Sequence, residues 1–229
     1  MNRAEQEFKT GYRAWREESM SLTPEVERQR RGFRELDTFK TLCSVSGRDP
    51  EIFGDVGGAL LDLGCGDQYL RAPSESAGFT YRGIDVDECD FDCDPLPVLD
   101  EQYDVVVSLA VIEHLTNPGH FWAEISRVLR SGGTLILSTP NWGYCVKTFW
   151  NDPTHVRPYT RESLARVAQI AGFSEVAVFP GLRCKQAYCY RGTTAFWRAR
   201  WLFPFRGDHK WAPPFLRGRS TSLFLVATK

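Results

Sequence analysis

The sequence predicts an α/β domain built on one doubly wound, mostly parallel sheet, and three observations carry that prediction. Short apolar runs of strand length recur at 59–63, 103–109 and 134–139, and segments of helical spacing follow them. Strands that alternate with helices pair in parallel, because each crossover helix returns the chain to the edge where it started. The run Tyr103-Asp104-Val105-Val106-Val107-Ser108-Leu109 is rich in β-branched residues, as a strand covered on both faces requires. Finally, the first run stops at Gly64-Cys65-Gly66, a turn at the carboxyl end of a strand, where such sheets bind ligands.

Taken in order, residues 1–50 read as a polar, helical N-terminal cap. Thr23 is its N-cap and Pro24 its first helical position, and Phe33, Leu36, Phe39 and Leu42 form a stripe at helical spacing. That helix packs on the domain as a cap, covers a ligand as a lid, or does both. The core, 51–182, opens with a strand over 59–63. A second strand, 81–85, ends in an acid. Only seven positions then separate Asp85 from Asp92, too few for a helix and a strand, so Cys89-Asp90-Phe91 is expected to give only a stub of edge strand. A helix over 118–130 carries Phe121, Ile125, Val128 and Leu129 on one side and ends at Ser131-Gly132-Gly133. The strand 134–139 is closed by Pro140. Thr160 caps a helix over 160–171, with Gly172 past its end, before strands at 175–179 and 222–228.

Composition narrows the class. Of 229 residues, 42% are hydrophobic and 25% charged, which excludes disorder for most of the chain. The longest apolar run is Leu223 to Ala227, far short of the roughly 20 residues of a spanning helix. Met1 to Thr10 lacks the apolar core of a secretory signal. The 7 cysteines are scattered and show no CxxC, so a reduced, cytoplasmic chain without a metal is expected. Charge is uneven. Residues 51–182 carry 8 basic and 19 acidic side chains, whereas 183–229 carry 10 basic and 1 acidic. Residues 183–221 are therefore set apart as a basic, aromatic insertion ahead of the final core strand, 222–229. Phe196, Trp197, Trp201, Phe203, Phe205 and Trp211 there alternate with Arg191, Arg198, Arg200, Arg206 and Lys210. Three readings stay open: a basic cap on the acidic core that also walls the acceptor site, a membrane surface contact through 195–206, and nucleic-acid binding.

The chemistry gathers at strand ends. Gly64 and Gly66 let backbone approach a ligand closely. A dinucleotide fingerprint would place its third glycine at position 69, which is Tyr69, and Asp62 is awkward beside a pyrophosphate. Asp62 suits a ligand with a positive end. Asp85 falls 19 residues after Gly66, where a carboxylate can accept both hydroxyls of a ribose. Asp92 can accept from an exocyclic amine, with the Cys93 N–H beside it. His114 and His155 follow the fourth and fifth strands, counting 59–63 as the first and the stub at 89–91 as the third. Imidazole titrates near neutrality, so each is a candidate base. Arg157 and Tyr159 can bind an anionic or sugar-like acceptor.

The series Leu61-Asp62-Leu63-Gly64-Cys65-Gly66, Gly83-Ile84-Asp85, Asp92…Leu96-Pro97…Tyr103-Asp104-Val105-Val106, Glu113-His114-Leu115 and Arg127-Val128-Leu129-Arg130-Ser131-Gly132-Gly133 resembles the class I S-adenosylmethionine-dependent methyltransferases. The match runs over about 55–179, and 223–229 looks like that fold's last strand. The resemblance implies a Rossmann-like sheet with an antiparallel final strand and S-adenosylmethionine as cofactor. It implies that Gly64, Cys65 and Gly66 line the methionine and ribose, and that Asp85 with Val86 holds the ribose. Asp92 and Cys93 would meet adenine, and Leu109 would offer backbone to the methionine amino group. Gln68 stands where a glycine is frequent. Gln68-Tyr69-Leu70-Arg71 looks instead like a subgroup in which Arg71 pairs with the cofactor carboxylate. The expected function is methyl transfer to a small-molecule, glycan or lipid-linked acceptor, at oxygen. The alternatives are a non-catalytic S-adenosylmethionine-binding module and an NAD-dependent oxidoreductase, which Tyr69 disfavours.

Overall fold

Six strands share one sheet in a computed structural model that describes residues 25–49, 53, 57–181, 205, 206, 211, 213 and 216–229, with single positions at 7, 10, 11, 14 and 18. The elements are α1 (Glu25–Val45), β1 (Gly58–Leu63), α2 (Arg71–Ser76), β2 (Phe79–Ile84), β3 (Tyr103–Leu109), α3 (Pro118–Val128), β4 (Leu129–Pro140), the short α4 (Trp142–Cys145), α5 (Arg161–Ile170), β5 (Ser174–Pro180), β6 (Phe205–Arg206), β7 (Arg217–Arg219) and β8 (Ser222–Thr228). The sheet order is β2-β1-β3-β4-β8-β5, and β6 pairs with β7 apart from it. β1 runs parallel to β2 and β3, and β3 to β4, whereas β8 is antiparallel to both its neighbours. The chain leaves β1 toward β2 on one side and returns to β3 on the other. A crevice therefore opens at the carboxyl end of β1, the switch point of the winding.

Strand periodicity of two divides the core into two layers. Leu61, Leu63, Val106, Leu135 and Leu225 pack with Phe121, Trp122 and Ile125 of α3 and Leu164 of α5. Leu60, Val105, Val107, Ile136 and Val226 face the other way, onto Leu36, Phe39 and Leu42 of α1. The N-terminal helix is thus a true layer of the domain. It lies on the face to which Asp62, between Leu61 and Leu63, must point.

The structure differs from the sequence reading in four places. Phe33 is exposed, because the buried line of α1 runs instead through Gly32, Leu36, Phe39 and Cys43. At that end the helix backbone comes so close to the Tyr69 carbonyl that only glycine fits. Cys89 and Asp90 are irregular and Phe91 opens a turn, with no strand, so β2 is the sheet edge. The helix expected to reach 130 stops at Val128, since Leu129 is extended and pairs with Tyr103. The second strand ends at Ile84, one residue before the acid. Thr23 and Pro24 lie outside the described residues, as do Arg191, Phe196, Trp197, Arg198, Arg200, Trp201, Phe203 and Lys210 of the insertion.

Candidate active site

The carboxyl ends of β1 and β2 meet in a cradle built largely from backbone. Gly64 and Gly66 have φ of 77° and 53°, a region that disfavours side chains. The Gly64 and Cys65 amides donate to the Ile84 carbonyl at 2.8 and 3.3 Å, closing the turn onto β2. A Cβ on Gly64 would stand 2.2 Å from Val111 Cγ2, so the turn also packs tightly on the segment after β3. Asp85 accepts the Gly66 amide on Oδ2 at 2.6 Å and the Val86 amide on Oδ1 at 2.7 Å. A carboxylate has about four acceptor sites, so these bonds orient Asp85 and leave capacity for a diol.

Beneath the turn, Asp62 is 2% exposed. Burial pushes its carboxyl up to about 7. The Tyr81 hydrogen bond opposes that rise, and the charges of Asp85 and Asp67 add to it. Tyr81 donates to Asp62 Oδ2 at 2.7 Å, and the Arg71 guanidinium sits 5.0 Å from the centre of the Tyr81 ring. One ring therefore links an acid and a cation, a donor set suited to the amino and carboxylate groups of an amino acid. Arg71 is held by Gln68 Oε1, which accepts its Nε and Nη2 at 2.8 and 2.5 Å. Burial raises the Cys65 thiol to about 12, so it lines the turn as a small apolar group. Leu109 is the last residue of β3, and Ala110 turns away from it with φ of 58°.

Asp92 and Cys93 stand differently from the expectation. Asp92 accepts Thr116 Oγ1 at 3.0 Å and the Asn117 amide at 2.8 Å, tying its loop to the start of α3. The Cys93 amide donates to the Asp90 carbonyl at 3.1 Å. These bonds orient the loop and, as at Asp85, leave the Asp92 carboxylate further acceptor capacity, whereas the Cys93 amide is committed to Asp90. Phe91, two residues earlier, is buried against Phe121.

On the β3–β4 side, two distant segments converge. Glu113 lies in a 3₁₀ turn, Ile112–His114, and is 1% exposed. Its carboxylate accepts Thr139 Oγ1 at 3.0 Å, from the end of β4. Its carbonyl accepts the amides of Val156 and Arg157 at 2.9 and 3.0 Å. That clamp brings the loop after β4 across the turn after β3. The His114 and His155 rings end 4.7 Å apart. One donor atom from each of Glu113, His114 and His155 lies within 4.8 Å of the other two, a spacing that could hold a cation. Phe149 stacks on His155 at 4.4 Å, and Trp142 and Trp150 join it, with Trp150 56% exposed. Arg157 is exposed and donates to the Thr116 carbonyl at 3.3 Å. Tyr159 is 3% exposed, inside the core cluster, and its hydroxyl meets no partner among the described residues.

A family model described as a methyltransferase domain matches residues 28–178, well over half the chain. The chain belongs to the class I S-adenosylmethionine-dependent methyltransferases. It is 32% identical over 136 residues to a probable S-adenosylmethionine-dependent methyltransferase of Mycolicibacterium smegmatis, covering 52% of each chain. It is 30% identical over 102 residues to a ubiquinone biosynthesis O-methyltransferase of a Caulobacter species, covering 36% of this chain and 40% of that one. The chain thus spans about half the length, or less, of these curated relatives. A solved S-adenosylmethionine-dependent methyltransferase from Archaeoglobus fulgidus shares the fold, with a TM-score of 0.56 at 15% identity, over 78% of this chain and 89% of that one.

The cofactor of this methyltransferase is S-adenosylmethionine, and the residues present fit it. Asp85 keeps acceptor sites that would suit a diol, Asp62 and Arg71 offer opposite charges, and the glycine turn carries no side chain. Four residues that the sequence did not single out shape the site. Tyr81 holds Asp62, Glu113 clamps the two loops, and Asp152 and Thr154 surround the histidines. Glu113 stands in the quoted motif next to His114, which was a signal. Tyr81 carried none, because only strand register brings it to Asp62. Among the described residues, no helix is long and apolar enough to cross a membrane.

Proposed function

We propose that this protein methylates a hydroxyl of a small, ring-bearing acceptor, a phenol or a sugar, free or lipid-linked. The single observation behind this reading is the histidine pair set beside an aromatic wall. Phe149, buried under His155, backs Trp142 and the exposed Trp150, which offers a face for a planar or sugar ring. The oxygen assignment draws support from the O-methyltransferase named among the relatives. When bound, S-adenosylmethionine supplies an electrophilic methyl group on a sulfonium. The chain's part is positioning and proton removal, which together account for much of such catalysis. Asp85 and Val86 orient the ribose end, the Asp62–Tyr81–Arg71 set orients the amino-acid end, and His155 or His114 takes the acceptor's proton. Leu109 offers backbone to the amino group. Asp92 and Cys93 shape the adenine loop through their contacts with α3 and Asp90. The proposal places the enzyme in the cytoplasm, with 195–206 touching a membrane surface if the acceptor is lipid-linked.

Calorimetry with S-adenosylmethionine, S-adenosylhomocysteine and NAD, followed by labelled-methyl transfer to phenol, catechol, glycan and lipid-linked acceptors, tests this. Binding of the first two ligands, with label on oxygen of a ring acceptor, is expected. His155→Ala is expected to lower turnover about a hundredfold or more at nearly unchanged cofactor affinity. Cofactor binding with no transfer to any acceptor would favour the non-catalytic module. Equal losses of turnover and affinity in His155→Ala would make His155 a loop-stabilising residue.

A further inference from the structure

Resting on the reading of His114 and His155 as bases, we propose that Asp152 and Thr154 are positioning residues that fix where the proton sits on both rings. Each ring has one nitrogen, Nδ1, engaged by a neighbouring oxygen. His155 Nδ1 lies 2.7 Å from the Phe149 carbonyl oxygen, which can only accept, so Nδ1 carries the hydrogen. Neutral His155 therefore keeps its lone pair on Nε2. His114 Nδ1 lies 2.8 Å from Thr154 Oγ1, which by itself can donate or accept. Asp152 resolves that choice. Thr154 Oγ1 donates to Asp152 Oδ1 at 2.6 Å, so its hydrogen is spent, and it must accept from His114 Nδ1–H. Neutral His114 likewise keeps its lone pair on Nε2.

The two arrangements share one carboxylate. Asp152 Oδ1 also accepts the Thr154 amide at 2.9 Å, which fixes its rotation. Its other oxygen, Oδ2, then stands 3.9 Å from His155 Nε2. When His155 Nε2 takes the acceptor's hydroxyl proton, the ring becomes an imidazolium, with the Asp152 and Glu113 carboxylates close by as counter-charges. His114, 4.7 Å away ring to ring, stays neutral, since its tautomer is set by Thr154 and two adjacent imidazolium ions would repel. The proton leaves His155 to solvent after transfer. Asp152 thus serves the pair twice, through a hydroxyl to one ring and through space to the other, and need touch no substrate.

Nitrogen-15 NMR of the full chain, labelled at histidine, reads the proton positions without any acceptor. In the neutral forms, both His114 and His155 are expected as Nδ1–H tautomers. Thr154→Val is expected to release His114 toward the Nε2–H form while leaving His155 unchanged, and Thr154→Ser is expected to restore the parent pattern. In labelled-methyl transfer, Asp152→Asn is expected to lower kcat about ten- to a hundredfold, part of the total a positioned base supplies, with KM for the cofactor within twofold. A wild-type His114 in the Nε2–H form, or a Thr154→Val pattern equal to the parent's, overturns the proposal. Stoichiometric Zn²⁺ shifting the Nε2 signals of both rings, with turnover lost to a chelator, also overturns it, because the lone pairs would then serve a metal with Glu113. If the tautomers are as stated but His114→Ala and His155→Ala both keep full turnover, the proton positions stand and the base reading falls.

Discussion

At Asp62 the chain buries an acid whose nearest hydrogen-bond partner is a single tyrosine hydroxyl. Its carboxyl titrates near 7 in the folded chain, against about 4 when unfolded, because burial disfavours the charge. Protonated Asp62 therefore favours folding. That contribution is fully present below about pH 4 and is lost as pH rises to about 7, at no more than about 1.4 kcal/mol per pH unit. Asp62→Asn cannot ionise, so urea denaturation should show the variant gaining on the parent from pH 4 to 7 and no further above that. A gap that stays flat over this range refutes the assignment. Asp85 lies at the opposite extreme, half open and tied by two amides. Asp85→Ala should weaken S-adenosylmethionine binding by about 1–3 kcal/mol, read by calorimetry, as loss of a charged hydrogen bond does.

Among the elements, α1 bears most directly on the cap and lid readings. Gly32 is its contact point: an added Cβ would lie 2.1 Å from the Tyr69 carbonyl oxygen and 2.7 Å from Pro73 Cγ. Alanine at an exposed helix position gains up to about 1 kcal/mol over glycine. Here the clash should dominate, and Gly32→Ala should destabilise the fold by about 1–3 kcal/mol in urea. Arg31 sits 4.2 Å over the Tyr69 ring, so the same helix face also braces the loop that follows the glycine turn. If α1 acts as a lid as well as a cap, Gly32→Ala also lowers cofactor affinity at temperatures where the variant is fully folded. Affinity equal to the parent's leaves α1 as a cap alone. Helix α5 shows the simpler case, in which a local rule suffices. Thr160 and Ser163 cap each other's backbone amides, at 3.1 and 2.9 Å, as the spacing of the two residues predicts.

For the whole molecule, charge separation is the main unresolved force. The acidic core must meet a segment with 10 basic side chains and 1 acidic over 183–229. Among the described residues, Lys229 pairs with Glu101 at 3.1 Å. A segment of this charge suits an anionic acceptor or surface. Replacing Arg198 and Arg200 by glutamine should weaken acceptor use more than cofactor binding. The defect should shrink with salt, because exposed charges are screened within about 8–10 Å at physiological ionic strength. Co-sedimentation with anionic vesicles, reversed by salt in the parent and absent in the double variant, is the matching measurement. No vesicle binding and unaltered acceptor kinetics would reduce the segment to structural cover.

The sequence by itself determined what depends on short-range order. Strand and helix types, the glycine turn, the acid after β2 and the cap of α5 are each written in a few adjacent residues, and the same motifs carry the family. Their local physics holds wherever the segment is placed. Tertiary structure alone decided what depends on the meeting of distant segments. Tyr81 reaches Asp62 only because β1 and β2 lie in parallel register. Gly32 replaces Phe33 at the contact because α1 crosses close to Tyr69. Asp92 reaches Asn117, and Tyr159 is drawn into the core, because loops satisfy their own polar groups and bury their rings. The histidine pair is the fullest case. His114 and His155 were each legible as candidate bases, but their pairing and shared carboxylate arise from Glu113, whose carbonyl and carboxylate bind two loops far apart in sequence. No pattern along a chain encodes such a clamp, since its energy exists only once the sheet has brought both loops to one edge.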